Sequence, residues 1–162
     1  MAANFRFYRI LCTSPPELDA ERLAFEESVA RFVGEVSMAD GVLFAPASLR
    51  PPIVAAAQKR VIETNIRECE FFLQVYGEEW PDSVFQGFVE YALECVQDAA
   101  MLTRQAAVLF RNYRHADEQV RAFRESLAAR GGCELRDFGD AAELGAQIRE
   151  LLREWYARLG PG

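Results

Sequence analysis

Five short apolar runs, at residues 5–12, 42–45, 69–75, 106–110 and 133–138, alternate with stretches whose apolar residues repeat at helical spacing, and no other feature constrains the fold so tightly. The second and fourth runs are continuous, and from Phe71 to Val75 the third is interrupted only by Gln74. Strands that read this way are covered on both faces, which is the property of parallel strands sandwiched by helices.

The intervening segments carry helix signals. Ser14, Pro15 and Glu17 make a start signature of N-cap, first-turn proline and a carboxylate three residues on. Leu18, Phe25, Val29 and Phe32 then recur as far as Gly34. Pro51 and Pro52 open a second helical segment running to about residue 65. Ser83 with Gln86 offers a capping box for a third, whose buried face reads Val84, Phe88, Tyr91, Ala92, Cys95 and Ala99. Residues 117–130 form a fourth, stopped by Gly131 and Gly132. Asp140 with Glu143 caps a fifth that carries Leu144, Ile148, Leu151, Leu152, Trp155 and Leu159. Right-handed crossovers turn this alternation into an α/β, flavodoxin-like three-layer sandwich with a five-stranded parallel sheet in the order 2-1-3-4-5. At 162 residues, with no repeat and no linker, the expectation is a single α/β domain over 1–162.

Composition excludes several function classes. Eighteen basic against 25 acidic residues give a formal charge of −7, which argues against phosphate-tracking nucleic-acid binding. Seventeen of the basic residues are arginine, interspersed with acids rather than clustered. No run approaches the roughly 18 apolar residues of a membrane span, and the first residues lack a signal-peptide core; the expected location is cytoplasmic. The four cysteines, at 12, 69, 95 and 133, lie in or beside apolar stretches without a Cys-x-x-Cys pair, and read as reduced core residues. With His115 the only histidine, no zinc set is available. Walker A, G-x-G-x-x-G and G-x-S-x-G patterns are absent from the sequence.

In an open parallel sheet the ligand crevice lies beyond the carboxyl ends of the strands. That edge gathers Thr13 and Ser14, Ala47 and Ser48, Tyr76 and Gly77, and Asn112. The helix opening at Ser14 would direct free N–H groups there, which suits an anion, although Ser14 equally reads as a plain cap. Glu90 lies two turns into the third helix, with Gln86, Glu94 and Gln97 on its face. That spacing describes a solvated stripe, or a carboxylate able to attack a sugar C1 as its base departs. Tyr76, Trp80 and Tyr91 offer rings for stacking or for packing.

Cys12-Thr13-Ser14 followed by Leu18-Asp19-Ala20-Glu21-Arg22 resembles the opening of a bacterial domain-of-unknown-function family found at the N-terminus of signal-transducing NTPases. Asn65 through Phe72, Tyr76-Gly77, Glu90-Tyr91-Ala92 and Glu143-Leu144 extend the resemblance in order along the chain. That family is similar in fold to nucleoside 2-deoxyribosyltransferases and Toll/interleukin-receptor domains, which implies Glu90 as a nucleophile on an N-glycosidic bond. It also implies Thr13, Ser14, Tyr76, Gly77 and Tyr91 as ligand contacts. Where the enzymes have Asp before strand three, this chain has Glu70, and where they have Gly-Thr before the Glu it has Gly87-Phe88-Val89.

Two functions follow. One is a signalling or interaction domain that uses its surface, or a pocket for a nucleotide-like ligand, without chemistry. The other is an N-glycosidase or deoxyribosyltransferase acting on NAD or a nucleoside. No cofactor is expected beyond NAD or a nucleoside as ligand. The expected partners are a nucleotide-like small molecule and a protein or second copy of the chain, with neither nucleic acid nor membrane.

Overall fold

A computed structural model describes residues 4–49 and 56–160. The strands are β1 (Arg6–Thr13), β2 (Val42–Leu49), β3 (Phe71–Tyr76), β4 (Gln105–Arg111) and β5 (Glu134–Phe138). The helices are α1 (Asp19–Phe32), α2 (Ala56–Arg67), α3 (Val84–Gln97), α4 (Glu118–Arg130) and α5 (Ala141–Arg158). All four strand pairings are parallel and the order is β2-β1-β3-β4-β5, as the alternation predicts.

The sheet buries both faces. Tyr8, Ile10, Cys12, Phe71, Leu73 and Val75 pack against Phe25, Val29 and Phe32 of α1 and Ile148, Leu151, Leu152 and Trp155 of α5. Trp155 stacks on Phe71 with ring centroids 4.8 Å apart. On the other face Leu11, Phe72, Tyr76, Val108 and Phe110 meet Ile62 and Ile66, Phe85, Phe88 and Val89, and Val120 and Phe123. Burial at this scale is the dominant stabilising contribution, at about 25 cal/mol per Å² of apolar surface removed from water. Gln74 is fully buried in this face. Thr13 Oγ1 donates to Gln74 Oε1, and Gln74 Nε2 donates to the Val75 carbonyl at 3.0 Å, so its polar groups are satisfied without solvent.

Three local expectations are corrected. Ser14 is not the cap of α1: the helix begins at Asp19 after Leu18, and the Leu18 amide instead closes a turn on the Pro15 carbonyl at 3.1 Å. The cause is Pro16, which drives Pro15 out of the helical region. Ser83 makes no side-chain cap either; Asp82 Oδ1 accepts from the Val84 amide at 3.0 Å. β2 runs four residues past Ala45, through Pro46. An edge strand accommodates a proline whose absent N–H lies on its unpaired side. The expected opening of the second helix at Pro51 and Pro52 lies outside the described residues.

At Asp140 the capping box is present. The Asp140 carboxylate accepts from the Glu143 amide at 2.8 Å, and Glu143 accepts from the Gly139 amide at 2.7 Å. α1 continues through a π turn at Val33–Ser37 and a 3-10 turn at Met38–Asp40, and ends at Gly41, whose φ of 74° is a conformation that favours glycine. Cys12, Cys69 and Cys95 are buried and all four cysteines are free. Burial pushes the Cys12 and Cys69 thiols up to about 12, so neither ionises near neutrality. Among the described residues no helix is long and apolar enough to cross a membrane.

Candidate functional site at the carboxyl edge of the sheet

β1, β3 and β4 end side by side, and the residue at the end of β4 organises the space above them. Arg111 Nε lies 3.0 Å from both carboxylate oxygens of Glu78, and its Nη2 lies 2.7 Å from Glu78 Oε2. Arg111 Nη1 reaches Glu21 Oε1 of α1 at 2.5 Å. Asn112, held at a φ of 48°, donates from Nδ2 to Glu78 Oε1 at 2.7 Å. One guanidinium thus joins the segments following β1, β3 and β4. The Glu21 side chain is 7% exposed, whereas those of Arg111 and Glu78 are 27% and 28% exposed. Arg111 and Asn112 hold the Glu78 carboxyl well below the usual range, at about 2, and Glu78 and Glu21 raise the Arg111 guanidinium further. Gly77 is required by space: a Cβ there would sit 3.3 Å from Leu18 Cδ2 and 3.4 Å from Arg111 Nη2.

The other expected site residues are spread around this cluster. Thr13 is fully buried with its hydroxyl committed to Gln74, and Ser14 is 2% exposed. Tyr76 is fully buried. Trp80 lies on one side of its ring at 5.8 Å and Phe110 stacks at 5.5 Å, with interplanar angles of 12° and 10°. Two stacked neighbours occupy its faces, so Tyr76 has no ring surface to offer a base. Its phenol oxygen has no hydrogen-bond partner. Burial, and then the nearby charge of Glu90, push that phenol well above the ordinary tyrosine range. Glu90 itself is exposed and accepts from Gln86 Nε2 at 3.1 Å along its own helix. Tyr91, half-buried, accepts at its hydroxyl from Arg67 Nη1 of α2 at 3.0 Å. The structure therefore brings Gly77 to Arg111, while no described contact joins Ser14 to Glu90.

No family model matches the sequence, and no curated protein matches it either. Solved structures similar to the chain include the flavodiiron core of a Synechocystis protein, at 12% identity and a TM-score of 0.46, covering 94% of this chain and 37% of that one. A flavodoxin-like domain from Synechococcus follows, at 12% identity and a TM-score of 0.49, covering 90% and 99%. An FMN-dependent NADH-azoreductase from Bacillus anthracis has 10% identity and a TM-score of 0.47, covering 94% and 99%. With the parallel order 2-1-3-4-5 already established, the architecture can be named.

The chain has a flavodoxin-like fold.

In flavodoxin-like sheets a nucleotide is expected at the switch point, with an anion at the turn after β1. The residues present do not fit a phosphate there. Pro15 and Pro16 supply no N–H, the Leu18 amide is spent on Pro15, and Glu17, Asp19 and Glu21 line the turn and the first residues of α1 with carboxylates. Arg111, at the end of β4, is already bound to two of the molecule's own carboxylates. A flavin mononucleotide phosphate therefore finds acid and proline where it needs amides.

Reading the sequence did not single out Arg111, Glu21 as its partner, or Glu78. The available signal was a charged residue closing the apolar run of β4 at its carboxyl end. Farther along the same edge, Asn112, Tyr113, Arg114 and His115 face Asp137 and Glu143 across a cleft of about 400 Å³. Two of its lining residues are held by Arg124, which pairs with Asp137 at 2.8 and 2.9 Å and lies 4.9 Å over the Tyr113 ring. Among the described residues no group of His, Cys, Asp and Glu is placed to hold a metal ion.

Proposed function

We propose that the chain is a cytoplasmic signalling or interaction domain of the deoxyribosyltransferase and Toll/interleukin-receptor type, acting through its surface without turning over a substrate. The observation that supports this reading is the closed ionic cluster of Arg111, Glu21, Glu78 and Asn112 above the ends of β1, β3 and β4. Its charges are satisfied internally, so none is left to stabilise a developing charge on a substrate. Glu90 is exposed and hydrogen-bonded along its own helix, without the desolvation that would make it reactive. Any ligand taken at this edge would be a neutral, nucleoside-like group rather than a phosphate.

One observation favours the alternative of an N-glycosidase or deoxyribosyltransferase acting on NAD or a nucleoside. The buried, unpartnered phenol of Tyr76 lies within reach of the Glu90 charge. In that reaction a Glu90 oxygen attacks C1, the N-glycosidic bond breaks, and the base departs with the bonding electron pair and is protonated by water. A second water, or a second base, then displaces Glu90. Incubating the purified protein at high concentration with NAD and a panel of nucleosides, then looking for free base by chromatography, separates the two. The interaction reading expects none. Release that vanishes in Glu90→Gln overturns it and establishes the enzyme.

A further inference from the structure

We infer that the cleft between α1 and α5 is a binding site for the oxyanion head of a small metabolite, carried by Arg149 and Ser28. The cleft has a volume of about 330 Å³ and lies on the α1 and α5 side of the sheet, remote from Glu90 on α3. Its walls are Glu27, Ser28 and Arg31 from α1 and the first turn of α5 with Gly145 and Arg149.

Three independent features converge there. Ser28 is 4% exposed, yet its hydroxyl makes no hydrogen bond among the described residues, unlike Thr64 and Ser126, which bond to carbonyls of their own helices. The Ser28 oxygen opens to the cleft, where it is free to donate to an acceptor. Arg149 is half-buried and makes no ion pair or hydrogen bond among the described residues, whereas Arg22, Arg31, Arg111, Arg124 and Arg136 are all paired. Gly145 sits inside α5, where glycine costs about 1 kcal/mol relative to alanine. Its place is explained by the space it leaves: a Cβ would come within 3.0 Å of Ser28 Oγ and 3.3 Å of Arg149 Nη1. The hydroxyl and the guanidinium therefore lie against the same side of Gly145.

The chemistry selects the ligand class. A guanidinium and a hydroxyl are both donors, and the amides of Ala141 and Ala142 in the first turn of α5 have no acceptor within the helix. Arg31 at the rim is paired with Glu35 at 3.0 Å, and Glu27 adds a negative charge that disfavours a highly charged head. A single carboxylate or phosphate group meets these terms, and it requires no chemistry at the carboxyl edge.

The test titrates the isotope-labelled full chain with succinate and, separately, with inorganic phosphate, following amide resonances. A saturable shift confined to residues 27–31 and 141–149 is expected for at least one of the two, and the one that saturates identifies the head group. Arg149→Gln should weaken that binding at least tenfold with an unchanged melting temperature. Gly145→Ala should weaken it at least tenfold by displacing the Ser28 hydroxyl and the Arg149 guanidinium, with circular dichroism checking that α5 is intact. Absence of a saturable shift with either anion, or a shift that persists in Arg149→Gln, overturns the inference. Neither result depends on whether Glu90 is catalytic.

Discussion

At the residue scale the consequential side chain is Arg111, because its single positive charge pairs with two carboxylates, Glu21 of α1 and Glu78 after β3. Removing one member of a buried ion pair costs about 3–5 kcal/mol. Partial exposure of Arg111 and Glu78 reduces this, so Arg111→Met is expected to lower stability by about 2–3 kcal/mol, read as a lower urea midpoint. The pH dependence has a definite sign. Glu78 has a folded-state pKa of about 2, below its ordinary value of 4.5. Its contribution is fully present above about pH 4.5 and is lost as pH falls toward 2. Glu78→Gln should flatten that acid limb of the stability curve and leave the neutral limb unchanged in shape. Tyr76→Phe tests a different residue-scale feature. Its hydroxyl is buried without a partner, so its removal should raise stability by about 1 kcal/mol, seen as a higher melting temperature. A fall in stability would mean that the oxygen has an acceptor in solution.

Elements were legible where a signal was local and uncontested. Asp140 and Glu143 pair as the spacing requires, and Asp140→Ala is expected to cost about 1 kcal/mol in urea denaturation. Ser14 carries the same kind of signal and fails, because a second proline two residues later imposes a conformation that spacing does not reveal. Ser83 loses its role to its neighbour Asp82 for want of an equally legible cue. Of the α3 stripe, Phe88, Ala92 and Cys95 are buried and Val84 and Tyr91 half-buried, whereas Ala99 is exposed beyond the helix end, and Phe85, Val89 and Leu93 are also buried, since α3 is covered more widely than one narrow face. The candidate site shows the same division. The spacing around Glu90 left a solvated stripe and a reactive carboxylate both open, and Glu90 is exposed while Tyr76 is buried. The link from Arg111 to Glu21 spans 90 positions in sequence, and only the closed sheet brings those residues together.

For the molecule as a whole, the layer order followed from alternation alone, because parallel strands with short crossovers leave few topologies open. The two cores then carry the stability. Trp155, fully buried and stacked on Phe71, ties α5 to the centre of the sheet. Trp155→Ala should cost about 3–5 kcal/mol, enough to shift the urea transition far more than any surface substitution. What the alternation could not supply was the chemistry of the loops, which depends on which side chains meet above the strand ends.

The proline carried by β2 has a consequence for growth beyond one molecule. An outward-facing strand is a template for intermolecular cross-β addition, and Pro46 removes a donor from the ladder that such an addition would need. At the opposite border Arg136 of β5 is enclosed by Glu134, Glu150 and Glu154, a screen of charge that an incoming backbone would have to strip of water. Both margins thus carry a feature that opposes the addition of a further strand.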